Sequence, residues 1–144
     1  MASSEPDGSA IAERHRAKHR EATADVEFGA WIDGERRTDG PSRGIEDPAT
    51  GESIVNVPEC DAGDVDDAVD AAWDAFDGGW DDTTVRDRSA RLFEWADVLA
   101  DHVEELTLLE CLDCGKPISQ ARGEVEGAID TLEFYAGAVR AQRG

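Results

Sequence analysis

The stretch between residues 118 and 139 carries apolar side chains at alternating spacings of three and four. These residues are Ile118, Ala121, Val125, Ala128, Leu132, Tyr135 and Val139. Such spacing places them on one face of an α-helix. A stripe of this length needs a surface to cover it, because an uncovered stripe is an exposed apolar patch. We therefore predict a long helix that packs on other elements, of this chain or of another.

Three further helices are predicted between residues 61 and 115, so that helices occupy about residues 61–142. The first follows Asp61 or Asp64 as an N-cap and ends at Gly78-Gly79. The second begins at Thr84, which with Asp87 resembles a capping box. The third runs to Gly115, and Pro117 is well placed as the first residue of the last helix. The apolar positions that define the three helices are Val65, Ala68, Val69, Ala72, Phe76, Leu92, Trp95, Ala96, Leu99, Val103, Leu106, Leu109 and Leu112.

Turn signals dominate the region that precedes these helices. Asp33-Gly34 is typical of a hairpin, and residues 39–41 and 47–51 combine Asp, Pro and Gly. An apolar run then ends at Pro58, so we predict two or three short antiparallel strands within about residues 26–58. Residues 1–25 lack a core pattern and are locally basic between Glu13 and Arg20. We predict that they form a mobile N-terminal arm.

Charge restricts the classes of partner. The 34 acidic residues exceed the 14 basic residues and give a net charge of −20. This balance disfavours nucleic acids and anionic membranes as partners, since both need a basic surface. Only two of the basic residues are Lys. An Asp-rich, Lys-poor surface is typical of proteins that work in molar salt, where repulsion between like charges is screened. The alternative is an acidic protein from an organism that lives at low salt. We see no segment that resembles a secretion signal or a membrane-spanning helix. Three cysteines are an odd number and form no disulfide framework, so we expect the protein to work in a reducing cytoplasm.

Two spacings could indicate a metal or redox site, although simpler interpretations exist. Cys111 and Cys114 form a C-x-x-C, but no second ligand pair exists and the motif ends a predicted helix, which favours a packing role. His15 and His19 lie four residues apart among arginines that oppose a cation, which favours incidental spacing. Glycine-rich phosphate loops and nucleophile-elbow motifs are absent from the sequence. The residues alone therefore indicate no catalytic constellation.

The order of three motifs resembles the N-terminal region of the NAD(P)-dependent aldehyde dehydrogenase superfamily, over about residues 26–144. The motifs are the D-P-A-T-G-E turn from Asp47, the D-V-D-x-A-V helix start from Asp64, and L-D-x-G-K-P from Leu112. Members commonly have Asn where this chain has Asp47. The presence of Cys at position 114 resembles the betaine-aldehyde-type members of the family. The resemblance implies an α/β fold with a Rossmann-like cofactor domain. This segment is expected to be mostly α, with a small antiparallel β-hairpin region.

The resemblance also implies a reaction that this chain cannot complete. Family members oxidise an aldehyde to a carboxylic acid, with NAD or NADP as the hydride acceptor and a cysteine as the nucleophile. None of the cysteines here matches that nucleophile's motif, so no catalytic or cofactor-binding residue is assigned. We expect that the chain comes from a truncated gene, is one part of a split enzyme, or is a partial sequence. In each case we expect the chain alone to be inactive and to associate with itself or with the missing remainder of the enzyme. The alternative is a non-catalytic interaction module whose last helix binds a partner chain.

One site is implied in part by the resemblance. Many members hold a structural Na⁺ or K⁺ through main-chain carbonyls before the turn and through the Asp of L-D-x-G-K-P. The corresponding residues are Ile45, Glu46 and Asp113. Oxygen atoms of this kind suit hard cations. Asp113 could instead be only a turn residue at the end of a helix.

Overall fold

The computed structural model describes residues 8–24 and 26–141. Its helices and strands follow the order α1, β1–β4, α2–α5, with a π-helical turn at Phe76–Trp80 after α2. The bounds are α1 Gly8–Thr23, β1 Ala30–Ile32, β2 Glu35–Arg37, β3 Ser42–Glu46, β4 Ser53–Pro58, α2 Ala62–Ala75, α3 Val85–Asp101, α4 Val103–Cys114 and α5 Ile118–Val139. The predicted mostly helical fold with small antiparallel sheets is confirmed.

The strands number four among the described residues and form two separate hairpins. Our prediction of two or three strands was too low. The hairpin signal at Asp33-Gly34 implies a strand on each side of that turn, so the strand without a sequence signal is β3, in which Ile45 is the one large apolar residue. The β1–β2 turn has positive φ at both Asp33 and Gly34, as a type I′ turn requires. The β3–β4 pair shows a register irregularity between Ile45 and Glu46, directly before the turn.

The predicted helix ends are largely confirmed. Asp61 caps α2 in a capping box with Asp64, and the Thr84 side chain accepts the backbone N–H of Asp87 at the start of α3. Gly115 ends α4 in the left-handed conformation, at φ 67°. Pro117 is not the first residue of α5 but its N-cap, since its ψ of 139° is extended. The fixed φ of proline suits both positions.

Helix α5 runs back along α4 and then α3. Small buried side chains line this contact, among them Ala96, Ala121 and Ala136, and they allow the helices to approach closely. The buried side of α5 also includes Ile129, whereas Ala128 and Tyr135 of the predicted stripe are exposed. The predicted stripe repeats on average every 3.5 residues, but an α-helix repeats every 3.6, so a strict 3–4 alternation drifts off one face.

The region that we predicted as a mobile arm contains α1, which lies against α4 and β4. Its one buried residue is Ala22. Residues 1–7 and 25 of the predicted arm lie outside the described residues, and the mobility of the arm stays a prediction. Within residues 8–24 and 26–141, the helices are too short or too polar to cross a membrane.

Candidate functional site

The turn between β3 and β4 is organised by a single carboxylate, that of Asp47. Its Oδ1 accepts the backbone N–H of Ala49 at 2.8 Å, and its Oδ2 accepts the hydroxyl of Thr50 at 2.9 Å. Its main-chain carbonyl accepts the N–H of Gly51 at 2.7 Å. Asp47 therefore closes the turn from both its side chain and its backbone, as Asp at the first position of a turn commonly does.

Asp47 is buried, with 4% of its surface exposed, and it remains an acid of lowered pKa. Burial acts to raise the pKa of this carboxyl group. The hydrogen bond from Ala49 and the contacts with His15 and Thr50 outweigh that effect and hold the pKa below its ordinary value. His15 Nε2 of α1 lies 2.5 Å from Asp47 Oδ2. The turn thus carries a buried negative charge that is satisfied by hydrogen bonds.

Two of the three predicted cation ligands line one cavity. Ile45 of β3 and Asp113 of α4 face a cavity of about 370 Å³ between the second hairpin and α4. Glu46 follows Ile45 in the strand, and its side chain is exposed. In the part of the chain that the structure describes, side chains of His, Cys, Asp and Glu form no cluster of three that could hold a metal. A cation here would depend on main-chain oxygens together with the Asp113 carboxylate.

The end of α4 packs directly on the turn. A Cβ atom added at Gly115 would lie 3.0 Å from Cβ of Pro48, so any larger residue would force the turn and α4 apart by a few tenths of an ångström. Lys116 follows and places its Nζ 2.5 Å from Glu110 Oε1 of α4 and 2.5 Å from Glu124 Oε2 of α5. The G-K-P segment therefore joins the turn, α4 and α5.

The two cysteines of the C-x-x-C lie in different environments. Cys111 is half-buried and donates its thiol to the Lys116 carbonyl at 3.1 Å, whereas Cys114 is exposed at the end of α4. Desolvation raises the pKa of both thiols, and the carboxylates of Asp47 and Glu110 add to the effect at Cys111 and Cys114 respectively. A raised pKa disfavours the thiolate that metal binding and redox chemistry need. The packing role that we predicted fits Cys111 but not Cys114.

The pair of histidines on α1 does not act as a unit. His15 contacts Asp47, whereas His19 buries its Nε2 without a partner among the described residues. No sequence signal connected His15 with Asp47, because 32 residues separate them. The turn-closing role of Asp47 could have been read from the D-P-A-T-G pattern itself, since an Asp before Pro commonly begins a turn.

Several helix faces outside this site expose large apolar side chains. The predicted stripe of α2 is exposed: Val65 and Val69 are 56% and 50% exposed, and Phe76, in the π-helical turn that follows α2, is 43% exposed. On α5, Phe134 and Tyr135 are mainly exposed and contact each other edge to face, with ring centroids 5.3 Å apart. On α3, the large exposed side chains include Trp95 and Val98. The chain therefore presents uncovered apolar surface on three helices.

Comparison with known proteins identifies the family. Residues 31–144 match the family model described as the aldehyde dehydrogenase family. The aminoacetaldehyde dehydrogenase of Pseudomonas aeruginosa is 40% identical over 119 residues, which are 80% of this chain and 24% of that protein. The chain spans about a fifth to a quarter of the length of the curated relatives that it matches.

Solved structures agree with this assignment. An indole-3-acetaldehyde dehydrogenase matches at TM-score 0.82 and 32% identity, over 90% of this chain and 31% of that one. The betaine aldehyde dehydrogenase of Staphylococcus aureus, solved with NAD⁺, matches at TM-score 0.81 and 28% identity, over 86% of this chain and 25% of that one. The motifs, the fold and the matched region agree, and the chain belongs to the aldehyde dehydrogenase family.

Proposed function

We propose that this chain is the N-terminal part of an enzyme that oxidises an aldehyde to a carboxylic acid with NAD⁺ or NADP⁺ as hydride acceptor. The observation that carries the proposal is the uncovered apolar surface of α2, α3 and α5 in a chain that matches a fifth to a quarter of its relatives' length. Surface of this kind marks an interface. Alone, the 144-residue chain reduces neither NAD⁺ nor NADP⁺.

Helix α2 shows the pattern most clearly. Its apolar stripe is exposed on one side, and Asp67, Asp70 and Asp74 lie on the opposite side of the helix. No residue of α2 is buried. A solvent-exposed helix would gain nothing from such amphipathicity, because helical stability in proteins comes mainly from packing of the apolar face. We infer that the remainder of the enzyme covers the stripe.

A chimera tests this function directly. Residues 31–144 replace the matching segment of the Pseudomonas aeruginosa aminoacetaldehyde dehydrogenase, and NADH formation is measured with that protein's aldehyde. The chimera is expected to be active. Val69→Asp in the chimera is expected to abolish activity, since it places a charge in a covered apolar surface.

Two controls make the result specific. Asp74→Asn, on the acidic side of the same helix, should leave the activity of the chimera unchanged. Val69→Asp in the 144-residue chain should leave its circular dichroism unchanged, because Val69 is half exposed there. A Val69→Asp chimera as active as its parent would contradict the proposal, and so would NAD⁺ reduction by the isolated chain. If neither the chimera nor the isolated chain is active, and α5 captures an unrelated chain, the interaction module is favoured instead.

Four finer assignments belong to the same proposal. Ile45 and Glu46 would offer main-chain oxygens, and Asp113 its carboxylate, to a Na⁺ or K⁺ ion that joins the second hairpin to α4; the shared cavity of Ile45 and Asp113 supports this. The acidic, Lys-poor composition supports adaptation to high salt, and free cysteines among the described residues agree with a reducing cytoplasm. The relatives named above act on different aldehydes, and the similarity of Cys114 to betaine-aldehyde-type members supports betaine aldehyde as a candidate substrate.

A further inference from the structure

Helix α1 lies outside residues 31–144, which match the family, yet it is docked on the body of the chain. It rests mainly on α4, and the side-chain hydrogen bonds of His15 and Arg16 are directed at the β3–β4 turn. The Arg16 guanidinium donates from both Nε and Nη2 to the Glu52 carboxylate, at distances of 2.7 to 3.1 Å. One residue earlier, His15 contacts Asp47 at the other end of the turn.

The turn is held from two sides. On one side, helix α1 contacts Asp47 at the start of the turn and Glu52 just after it. On the other side, Pro48 of the turn packs against Gly115 at the end of α4. The pKa of Glu52 is lowered, and the main cause is the hydrogen bonding from Arg16 to its carboxylate. The ion pair between Arg16 and Glu52 joins residues 36 positions apart and is the bidentate type that fixes geometry.

Apolar packing contributes little to this docking. Ala22 is the one buried residue of α1. Between α1 and the body lies a cavity of about 570 Å³, with Ile11 and Lys18 on the side of α1 and Leu108, Leu112 and Ile118 on the other. A helix that leaves such a space beneath it depends on its polar contacts.

We propose that α1 is a strap that holds the turn of residues 47–51 against the end of α4 through His15 and Arg16, and that it loosens when these polar contacts are removed or when the ion pair between Arg16 and Glu52 is screened. The basic stretch of α1 in a chain of net charge −20 provides the attraction. This device does not rest on the proposed enzymatic function. It assigns a role to a segment that precedes the residues matched by the family model.

Amide hydrogen exchange on the full 144-residue chain tests the strap. In the wild type, the amides of Ala49, Thr50 and Gly51 donate hydrogen bonds within the turn and should be protected. Arg16→Gln should accelerate exchange of the peptide covering residues 47–52 by about two- to fivefold, the range expected for a partly exposed ion pair. Arg20→Gln is the matched control. Among residues 8–24 and 26–141, Arg20 pairs with Glu13 of its own helix and not with the turn, so its loss should leave the turn unchanged.

A double-mutant cycle separates the contact from a general effect of charge. Arg16→Gln and Glu52→Gln together should accelerate exchange of the turn by less than the product of their separate effects. Peptides of α3 and α5 from the same samples show whether the rest of the fold is intact. Choline chloride raised from about 0.1 M to about 1 M should accelerate exchange of the turn in the wild type, but much less in Arg16→Gln. The bulky choline ion avoids an effect of Na⁺ or K⁺ binding near Ile45.

Three results would overturn the strap: equal exchange of the turn in wild type, Arg16→Gln and Arg20→Gln; multiplicative effects in the cycle; or a wild-type turn that exchanges at the unprotected rate. The chimera and the exchange experiment test separate proposals. An inactive chimera together with the expected exchange pattern would contradict the proposed enzymatic function but support the strap.

Discussion

At the scale of single residues, two buried hydroxyl groups have opposite roles. Ser89 of α3 is 1% exposed and donates to the Ala136 carbonyl at 2.7 Å. That carbonyl lies near the end of α5, where Arg140 donates instead to the carbonyls of Gly137 and Ala138. Thr107 of α4 is equally buried, but its Oγ1 has no partner among the described residues. Burial alone therefore does not tell which hydroxyl stabilises the fold.

Ser89→Ala should lower the free energy of unfolding by about 1 to 3 kcal/mol, since it leaves a buried carbonyl without a donor. Urea denaturation followed by circular dichroism measures this change. A loss below about 0.5 kcal/mol would mean that the hydrogen bond between α3 and α5 contributes little.

Thr107→Val should leave the free energy of unfolding unchanged or raise it by about 1 kcal/mol. The substitution exchanges a buried hydroxyl without a partner for a methyl group of similar size, and a buried polar group that makes no hydrogen bond costs free energy. The same denaturation experiment checks the prediction. A loss as large as that of Ser89→Ala would show that Thr107 has a partner after all.

At the scale of elements, the end of α4 and the β3–β4 turn depend on glycine for different reasons. Gly115 and Gly51 both have positive φ, of 67° and 70°. An added Cβ would meet Pro48 at Gly115, whereas at Gly51 it would have no neighbour within 4 Å in the part of the chain that the structure describes. Gly51→Ala should therefore cost about 1 to 2 kcal/mol for the left-handed conformation alone. Gly115→Ala should cost clearly more, as measured by thermal or urea unfolding; equal costs would contradict the contact with Pro48.

The link that Lys116 makes between α4 and α5 predicts a pH dependence. Hydrogen bonds to Glu110 and Glu124 raise the pKa of Lys116 above its ordinary 10.5, and the hydrogen bond from Lys116 lowers the pKa of Glu124 below its ordinary 4.5. The stabilisation is thus complete above about pH 4.5 and is lost as the pH falls through the lowered pKa of Glu124. At the alkaline end it is lost only as the pH rises through the raised pKa of Lys116.

Lys116→Gln should therefore destabilise the chain by a constant amount between about pH 6 and pH 9, and by less below about pH 4. Unfolding free energies of wild type and variant across this range measure the difference. Lys18→Gln removes the same charge from an exposed pair within α1 and should show little effect. An effect of Lys116→Gln that persists undiminished in acid would mean that packing, not the ion pairs, accounts for it.

At the scale of the whole molecule, the sequence predicted the elements better than their partners. Caps such as Asp61 and Thr84 act through neighbouring backbone groups, so the pattern of residues was enough to locate them. The contact between His15 and Asp47, and the choice of Ile129 over Ala128 for the core, depend on how distant elements meet. Of the candidate site, the family resemblance indicated Ile45 and Asp113, but no local signal showed that Asp47 would be buried in contact with His15 of α1.

The charge of the whole molecule predicts a dependence on salt. At a net charge of −20 the folded chain repels itself, and the repulsion is screened as the Debye length falls from about 10 Å at 0.1 M to about 3 Å at 1 M salt. The free energy of unfolding should therefore rise with NaCl over this range. Urea denaturation at each concentration measures it, and a flat or falling curve would contradict salt adaptation.

The central claim is that this chain forms the first part of a larger aldehyde dehydrogenase. The most direct test is the mass of the native polypeptide in the source cell, detected under denaturing conditions with an antibody to residues 61–141. The account predicts a species roughly three to four times heavier than 15.5 kDa. The 92 and 119 aligned residues make up 19% and 24% of two curated relatives, which are therefore about 480 to 500 residues long against 144 here. A single species at 15.5 kDa would contradict it and would direct the search to partners of α2 and α5.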